Sequence, residues 1–151
     1  MSFKEQFVNL YRDLAQIDIE DLASIYHQDV VFIDPVTTHH GLTAVNTYFK
    51  GLLDATESCQ FEINNWHNIA SNDSHQNASS AMDCSDVLEW TMKLKLSGKP
   101  NWIELAGVTL LKVVDDKILY HRDYYDLGEM VYEHIPLLKH IIKFIKKKLL
   151  S

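Results

Sequence analysis

Residues 102–126 read WIELAGVTLLKVVDDKILYHRDYYD, and this stretch decides the fold class. Both of its halves are rich in β-branched and aromatic residues, which favour strands. The acidic pair Asp115-Asp116 between them is typical of a turn. The pattern therefore predicts two strands, at 102–114 and 117–126, that pair in antiparallel fashion across a short connection.

Two further strands are predicted before this hairpin, at 59–70 and 81–97. Turn-forming residues at Asn72-Asp73 and at Ser97-Gly98-Lys99-Pro100 bound them. The polar stretch SNDSHQNASS, at 71–80, is expected to form the hairpin tip between the two. Four successive strands with short connections predict an antiparallel meander.

The first 58 residues show mainly helical signals. Ser2 and Glu5 have the spacing of a capping box, and the helix predicted from there has one apolar face. That face consists of Phe3, Phe7, Leu10, Tyr11 and Leu14. A second helix is predicted from the cap Asp18 to about Tyr26. A short strand at 30–33 ends at Asp34-Pro35, and a third helix follows at about 42–55.

The chain is expected to end in a helix that starts near Leu127 and is interrupted at Pro136. Helices followed by a meander indicate an α+β fold and not an alternating α/β fold. The sequence contains no internal repeat and no linker. We therefore expect one domain that spans residues 1–151.

Composition and charge exclude several classes of protein. With 46% hydrophobic and 23% charged residues, the chain is typical of a soluble globular protein. The N-terminal stretch has no signal-peptide pattern, so we expect a cytoplasmic protein in which Cys59 and Cys84 are reduced. The first 138 residues contain 9 basic and 21 acidic residues, a balance that argues against nucleic acid as a partner.

Two motifs in this sequence resemble known families. Ile33-Asp34-Pro35-Val36, followed by Gly41 and by Tyr48-Phe49, resembles the segment of ketosteroid isomerases that carries the catalytic base. His121–Leu127, HRDYYDL, resembles the last strand of SnoaL-like proteins and of limonene-epoxide hydrolases. The order of elements is similar to that of the nuclear transport factor 2-like superfamily over nearly the whole chain.

This resemblance implies a cone-shaped, cystatin-like fold. In it, N-terminal helices pack on a strongly curved, mostly antiparallel sheet, and a helix ends the chain. The resemblance also implies a pocket for a small hydrophobic molecule and a homodimeric assembly.

The same resemblance implies three catalytic residues. Asp34 would abstract a proton next to a carbonyl, Asp123 would act as an acid or base or activate a water, and Tyr11 would orient the substrate oxygen. The residues alone leave other interpretations open. An aspartate before proline commonly bonds local backbone amides in a turn, and Asp123 is also placed to form an ion pair with Arg122 or a lysine.

Neither known site is complete in this sequence. Ketosteroid isomerases have a protonated aspartate in the oxyanion hole, and our alignment places Thr109 there. The epoxide hydrolases need an arginine two residues from an aspartate on a middle strand, whereas residues 82–96 contain no arginine. The reaction therefore stays open among a cofactor-independent isomerase, cyclase or hydrolase of a hydrophobic carbonyl or polyketide-like compound. A non-catalytic ligand-binding or dimerisation module is the alternative.

A pocket is predicted from the alternation of the last strand. Leu119, His121, Asp123 and Tyr125 fall on one face of it. The other residues predicted to line the pocket are His39, Trp66, Trp90 and Thr109. Aromatic residues in strands also commonly form plain core. His39, His121 and His134 are candidate proton carriers.

Neither a metal nor a cofactor is predicted. No two histidines have the i, i+4 spacing of a helical metal site, and no glycine-rich phosphate-binding motif occurs.

The C-terminal segment combines an apolar stripe with five lysines and no acid. The stripe consists of Ile135, Leu138, Ile142, Ile145 and Leu149. We expect it to cover the sheet or a partner subunit. An amphipathic basic helix that lies on an anionic membrane surface is the less favoured alternative.

Overall fold

The computed structural model describes residues 1–69, 83–130 and 136–149. The helices are α1 Phe3–Tyr11, α2 Leu42–Leu53, α3 Leu127–Met130 and α4 Pro136–Leu149. The strands are β1 Tyr26–Ile33, β2 Thr38–His40, β3 Thr56–Asn68, β4 Asp86–Leu96, β5 Trp102–Val114 and β6 Lys117–Tyr125. The predicted hairpin tip at 71–80, the first residues of the strand expected from 81, His134 and Ile135 lie outside the described residues.

The six strands form one curved, mixed sheet in the order β2-β1-β6-β5-β4-β3. Strands β3 to β6 pair as an antiparallel meander, and β2 is antiparallel to β1. Only the pairing of β1 with β6 is parallel. The predicted α+β class and the mostly antiparallel, strongly curved sheet are thus confirmed.

The turn between β5 and β6 explains why residues 102–126 fold as a hairpin. Asp115 and Asp116 both have positive φ, of 50° and 57°. This pair of left-handed residues is the geometry of a two-residue hairpin turn whose twist matches that of the strands. Aspartate tolerates it because its short side chain bonds local backbone groups.

The N-terminal helix α1 begins as predicted, with the capping box between Ser2 and Glu5 in place. It ends at Tyr11, and its apolar face packs into the core through Phe7, Leu10 and Tyr11. The second helix is a correction. Ile19–Ser24 is a 3₁₀ helix, and Asp18 makes no side-chain cap.

Apolar spacing accounts for this difference. Ile19, Leu22 and Ile25 recur every three residues, which matches the three-residue turn of a 3₁₀ helix and not the 3.6-residue turn of an α-helix. Leu22 and Ile25 are both fully buried. The stretch up to Tyr26 is therefore held by packing, and β1 already begins at Tyr26.

Two details of the sheet also differ from the sequence prediction. The polar loop after Pro35 includes the short strand β2, which pairs with β1. In β6, a register irregularity opposite Lys112 and Val113 disturbs the alternation. Ile118, and not Leu119, is consequently the fully buried residue there, and the face shared by His121 and Asp123 begins after the irregularity.

The C-terminal helix α4 does not cover the sheet of its own chain, so that part of the expectation is wrong, while burial against a partner subunit stays a prediction. Leu138, Ile145 and Leu149 from the predicted stripe are exposed, as are Ile141 and Phe144. Among the described side chains of α4, only Ile142 is partly buried. No helix within 1–69, 83–130 and 136–149 is long and apolar enough to cross a membrane.

Candidate functional site

The parallel pairing of β1 with β6 positions the two predicted aspartates. Phe32 is paired with His121 and Ile33 with Arg122, so the next step of the same register places Asp34 beside Asp123. Asp34 lies on the same face of β1 as the buried Phe32, and only 7% of it is exposed. Both aspartates line one surface cleft of about 530 Å³.

Asp34 is fully engaged by hydrogen bonds. Its Oδ1 accepts the backbone amides of Val36 and Thr37, at 2.7 and 2.9 Å. Its Oδ2 accepts the hydroxyl of Tyr48, which α2 carries. Asp34 therefore caps the turn after β1 and holds Tyr48 at the strand end. Burial, this hydrogen bond and the charge of Asp34 raise the pKa of Tyr48 well above its ordinary value.

Asp123 is held through one oxygen only. Its Oδ1 accepts the hydroxyl of Thr109 and lies 2.8 Å from Nε2 of His121. Trp90 in turn donates its indole N–H to the Thr109 hydroxyl at 2.7 Å. Among the described residues, none donates to Oδ2 of Asp123. That oxygen is thus available to a ligand, while the carboxylate is fixed in position from behind.

A buried chain of hydrogen bonds continues from His121 into the core. Nδ1 of His121 lies 2.9 Å from the hydroxyl of Tyr26, which is itself bonded to the hydroxyl of Tyr11. All three side chains are buried, and burial raises the pKa of both tyrosines. Oδ1 of Asp123 is a carboxylate oxygen and accepts, so Nε2 of His121 donates to it, and Nδ1 of the neutral imidazole accepts from the Tyr26 hydroxyl.

The space inside the cone is small. A partly open cavity of about 50 Å³ lies between the sheet and the helices, and Tyr11, Tyr48, Asp123 and Tyr125 are among its lining residues. Small-molecule pockets usually measure about 300–1,000 Å³, so this cavity holds only part of a ligand. The cleft outside falls within that range. Asp123 and Tyr125 line both spaces and so stand at the boundary between them.

Tyr125 presents an uncommitted hydroxyl at this boundary. No described residue forms a hydrogen bond with it, whereas the hydroxyls of Tyr11, Tyr26 and Tyr48 are all engaged. Burial and the charges of Asp34 and Asp123 raise the pKa of Tyr125, so the hydroxyl keeps its proton at neutral pH. Tyr125 can therefore donate a hydrogen bond to a ligand oxygen.

The structure brings most of the predicted site residues together. Trp90, Thr109, His121 and Tyr125 surround Asp123, and Tyr11 lies behind His121. His39 stacks on Tyr48 with ring centroids 4.2 Å apart, and its Nε2 is buried without a hydrogen-bond partner.

Trp66 is not part of this group. Its ring packs against Phe7 near α1, and its Nε1 donates to Asp86 at 2.7 Å. It lines a separate surface groove between α1 and β3.

Sequence reasoning missed two contributors, Tyr26 and Tyr48. The sequence prediction places Tyr26 at the end of a helix, whereas in the structure it is the first residue of β1, three polar residues before the run at 30–33. Tyr48 was noted only within a motif. Its neighbour Phe49 belongs to the apolar stripe of α2, which places Tyr48 at the edge of that stripe facing the end of β1. An edge position beside a strand-terminal aspartate was the available signal.

The described residues contain no group of three or more histidine, cysteine, aspartate or glutamate side chains placed to hold a metal ion. Cys59 is buried in the core, which raises the pKa of its thiol to about 12.

The fold is a curved sheet with helices packed against it, and carboxylate, imidazole and phenol side chains gather beside the cavity. Residues 7–121 match the SnoaL-like domain family, and the chain belongs to that family. No curated protein sequence matches this chain.

Solved structures with the same fold are distant in sequence. An NTF2-like protein of unknown function from Burkholderia pseudomallei has a TM-score of 0.66 at 14% identity, over 87% of this chain and 96% of that one. A protein assigned as a SnoaL-like polyketide cyclase from Shewanella putrefaciens has a TM-score of 0.65 at 18% identity, over 85% and 92%. An LEH-like epoxide hydrolase from M. tuberculosis has a TM-score of 0.62 at 16% identity, over 90% of each chain. At such identities the likeness concerns the fold alone.

Proposed function

We propose that this protein catalyses cofactor-independent proton transfer at a carbon next to a carbonyl group of a small hydrophobic compound. The observation that carries the proposal is the pair formed by Asp123, with its open Oδ2, and Tyr125, with its open hydroxyl, at the boundary of cavity and cleft. One group accepts a proton and the other donates a hydrogen bond, as an enolisation requires.

The two groups would act on neighbouring atoms of the substrate. Asp123 takes the proton from the carbon, and the C–H electron pair moves into an enolate whose oxygen accepts a hydrogen bond from Tyr125. Return of the proton, to the same or another carbon, completes the reaction and leaves the protein unchanged. Aromatic side chains around the cavity suit a hydrophobic substrate. A polyketide, as named for one structural neighbour, is a carbonyl compound of this kind.

The roles of the two aspartates differ in this proposal. All three hydrogen bonds to Asp34 come from the protein itself, which supports a positioning role through Tyr48. His121 orients Asp123 and stabilises it through Nε2. The homodimer and the cytoplasmic location expected from the sequence stay predictions.

Hydrogen–deuterium exchange into 2-tetralone tests the proposal, because this bicyclic ketone has exchangeable protons next to its carbonyl. In deuterated buffer, we expect the wild-type protein to accelerate exchange, measured by NMR. Asp123→Asn should lower the rate by about 10²-fold or more, the usual loss for a general base. Tyr125→Phe should lower it by about tenfold, the effect of one donor to the oxyanion.

Asp83→Asn is the matched control, since Asp83 is an exposed carboxylate paired with Lys112 on the protein surface. It should exchange 2-tetralone at the wild-type rate. Equal exchange rates for the wild type and Asp123→Asn would contradict the proposal.

A non-catalytic ligand-binding module is the second candidate function. The small volume of the cavity and the hydrogen bonds that already occupy Asp34 favour it. Chemical-shift changes of Tyr125 and Trp90 on addition of 2-tetralone, without any acceleration of exchange, would support this second function and reject the first.

A further inference from the structure

We propose that helix α4 is a docking surface for an anionic lipid bilayer, on which it lies flat. Helix α4 is separate from the candidate site, and none of its described side chains lines the cavity or the cleft. Several large apolar side chains of the helix are exposed. Phe144 is 67% exposed, Ile145 50% and Ile141 47%.

The two sides of α4 differ sharply in chemistry. Leu138, Ile141, Ile145 and Leu149 recur at three- and four-residue spacing, and Ile142 and Phe144 flank them, so they form one broad apolar side that Lys148 interrupts near the end of the helix. Lys139, Lys143 and Lys147 recur every four residues on the opposite side. Residues 136–149 contain no acidic side chain. A helix with these two sides matches the segments that insert into the interface between headgroups and acyl chains.

Length and charge point to the bilayer surface. With 14 residues, α4 is about 21 Å long, too short to cross a bilayer but suited to lying in its plane. The first 138 residues have a clear excess of acidic over basic side chains. An anionic surface therefore repels the body of the protein and attracts α4, which orients the molecule with this helix toward the lipid.

A second copy of the chain is the alternative partner for the apolar side of α4. Protein interfaces are depleted in lysine and enriched in tyrosine, tryptophan and arginine. Residues 136–149 include five lysines and only one aromatic side chain, Phe144. On a bilayer, Lys139, Lys143 and Lys147 would extend toward the headgroups while their stems stay over apolar surface. The composition of the helix thus favours lipid.

Vesicle co-sedimentation of the full chain tests the proposal. We expect binding to phosphatidylcholine vesicles that contain about 30% phosphatidylserine, and at least about tenfold weaker binding to phosphatidylcholine alone. Phe144→Glu should weaken binding to the anionic vesicles by at least about tenfold, because it places a charge in the apolar side. The double change Lys143→Glu with Lys147→Glu should act in the same direction, and added salt should weaken wild-type binding.

Val114→Glu is the matched control, since Val114 is an exposed apolar residue at the end of β5 and undergoes the same change of charge. It should bind vesicles like the wild type. Far-UV circular dichroism checks that each variant is folded.

The proposal is overturned if the wild type fails to bind the anionic vesicles, or if Phe144→Glu binds them as well as the wild type does. Sedimentation velocity tests the alternative partner. A wild-type dimer that Phe144→Glu converts to a monomer, in a protein without vesicle binding, would assign the apolar side of α4 to a second copy.

Discussion

Nδ1 of His121 lies 2.9 Å from the hydroxyl of Tyr26, a residue 95 positions earlier in the chain. The imidazole is 1% exposed, so water does not replace this partner. Tyr26→Phe leaves Nδ1 and the hydroxyl of Tyr11 without their shared hydrogen bonds in the core. We expect a loss of about 1–3 kcal/mol in the free energy of unfolding, measured by urea denaturation.

Tyr124→Phe provides the control for this change. Tyr124 is on the same sheet, but it is exposed and its ring stacks under the Arg122 guanidinium, an interaction that phenylalanine keeps. Its free energy of unfolding should stay within about 0.5 kcal/mol of wild type. Equal effects of the two substitutions would mean that the Tyr26 hydrogen bond adds nothing to stability.

Gly107 gives a second prediction, because the indole ring of Trp90 lies directly over it. A Cβ at this position would approach the ring carbons to 2.3 Å. Gly107→Ala should therefore cost about 1–3 kcal/mol and move Trp90, whose N–H holds Thr109 in place. Thermal unfolding and tryptophan fluorescence measure the two effects.

Gly51→Ala is the matched substitution in open space, since nothing lies within 4 Å of the added Cβ. Gly51 belongs to α2, where alanine is the better helix former, and a gain of up to about 1 kcal/mol is expected. A gain in stability for Gly107→Ala as well would show that Trp90 and the sheet accommodate the added methyl group without strain.

Alkaline pH is expected to destabilise the protein. The pKa values of Tyr11, Tyr26, Tyr48 and Tyr125 are all raised in the folded state above the ordinary 10.0, by burial first. The folded state consequently holds these protons more tightly than the unfolded state does. The contribution of these tyrosines to the free energy of unfolding is fully present below pH 10, and it is lost as the pH rises above 10 toward their raised pKa values.

The urea concentration at the midpoint of unfolding should be lower at a pH of about 11 than at a pH of about 8. Tyr48→Phe removes one of the four groups and should reduce this difference. In the folded protein, the absorbance change of ionising tyrosine near 295 nm should be incomplete until the chain unfolds. Full tyrosine ionisation in a still folded protein would contradict the prediction.

The β5–β6 turn offers a stabilising change. Asp116 has φ of 57°, a conformation that glycine adopts without a side-chain penalty. Asp116→Gly should raise the free energy of unfolding by up to about 1 kcal/mol, seen as a higher melting temperature. Asp54→Gly serves as the comparison. Asp54 is the C-cap of α2 with φ of −56°, where glycine gains nothing from its freedom at positive φ, and Asp54→Gly should show no comparable gain in stability.

Local chemistry made the meander predictable. Strands β3 to β6 follow from runs of β-branched and aromatic residues bounded by strong turn formers, and their observed limits differ from the predicted ones by a few residues. The stretch 19–24 was harder because its caps favour a helix, while tertiary packing of Leu22 and Ile25 selects a tighter turn. The parallel register of β1 and β6 has no local signal, and it alone places Asp34 beside Asp123.

The hydrogen bonds within the site were likewise predictable only where they are local in sequence. Asp34 as a turn residue was deducible from the proline that follows it, and the structure contains those backbone hydrogen bonds. The chain from Tyr11 through Tyr26 to His121 joins three separate elements, so no sequence spacing reports it. The apolar stripe of α4 predicts burial without specifying against what, and the structure shows only that the sheet of the same chain does not bury it.

The parallel junction of β1 with β6 also bears on how the chain acquires its shape during synthesis. The first strand emerges from the ribosome long before its permanent neighbour, and until β6 arrives it has only the short β2 as a partner. Closing a loop of this size carries an entropic cost that local hairpins avoid, so the meander is expected to form first and the junction last. In a nascent or truncated chain that lacks residues 117–125, the edge of β1 stays open to pairing with other chains. Pairing of β1 with β6 thus both closes this edge and brings Asp34 and Asp123 together.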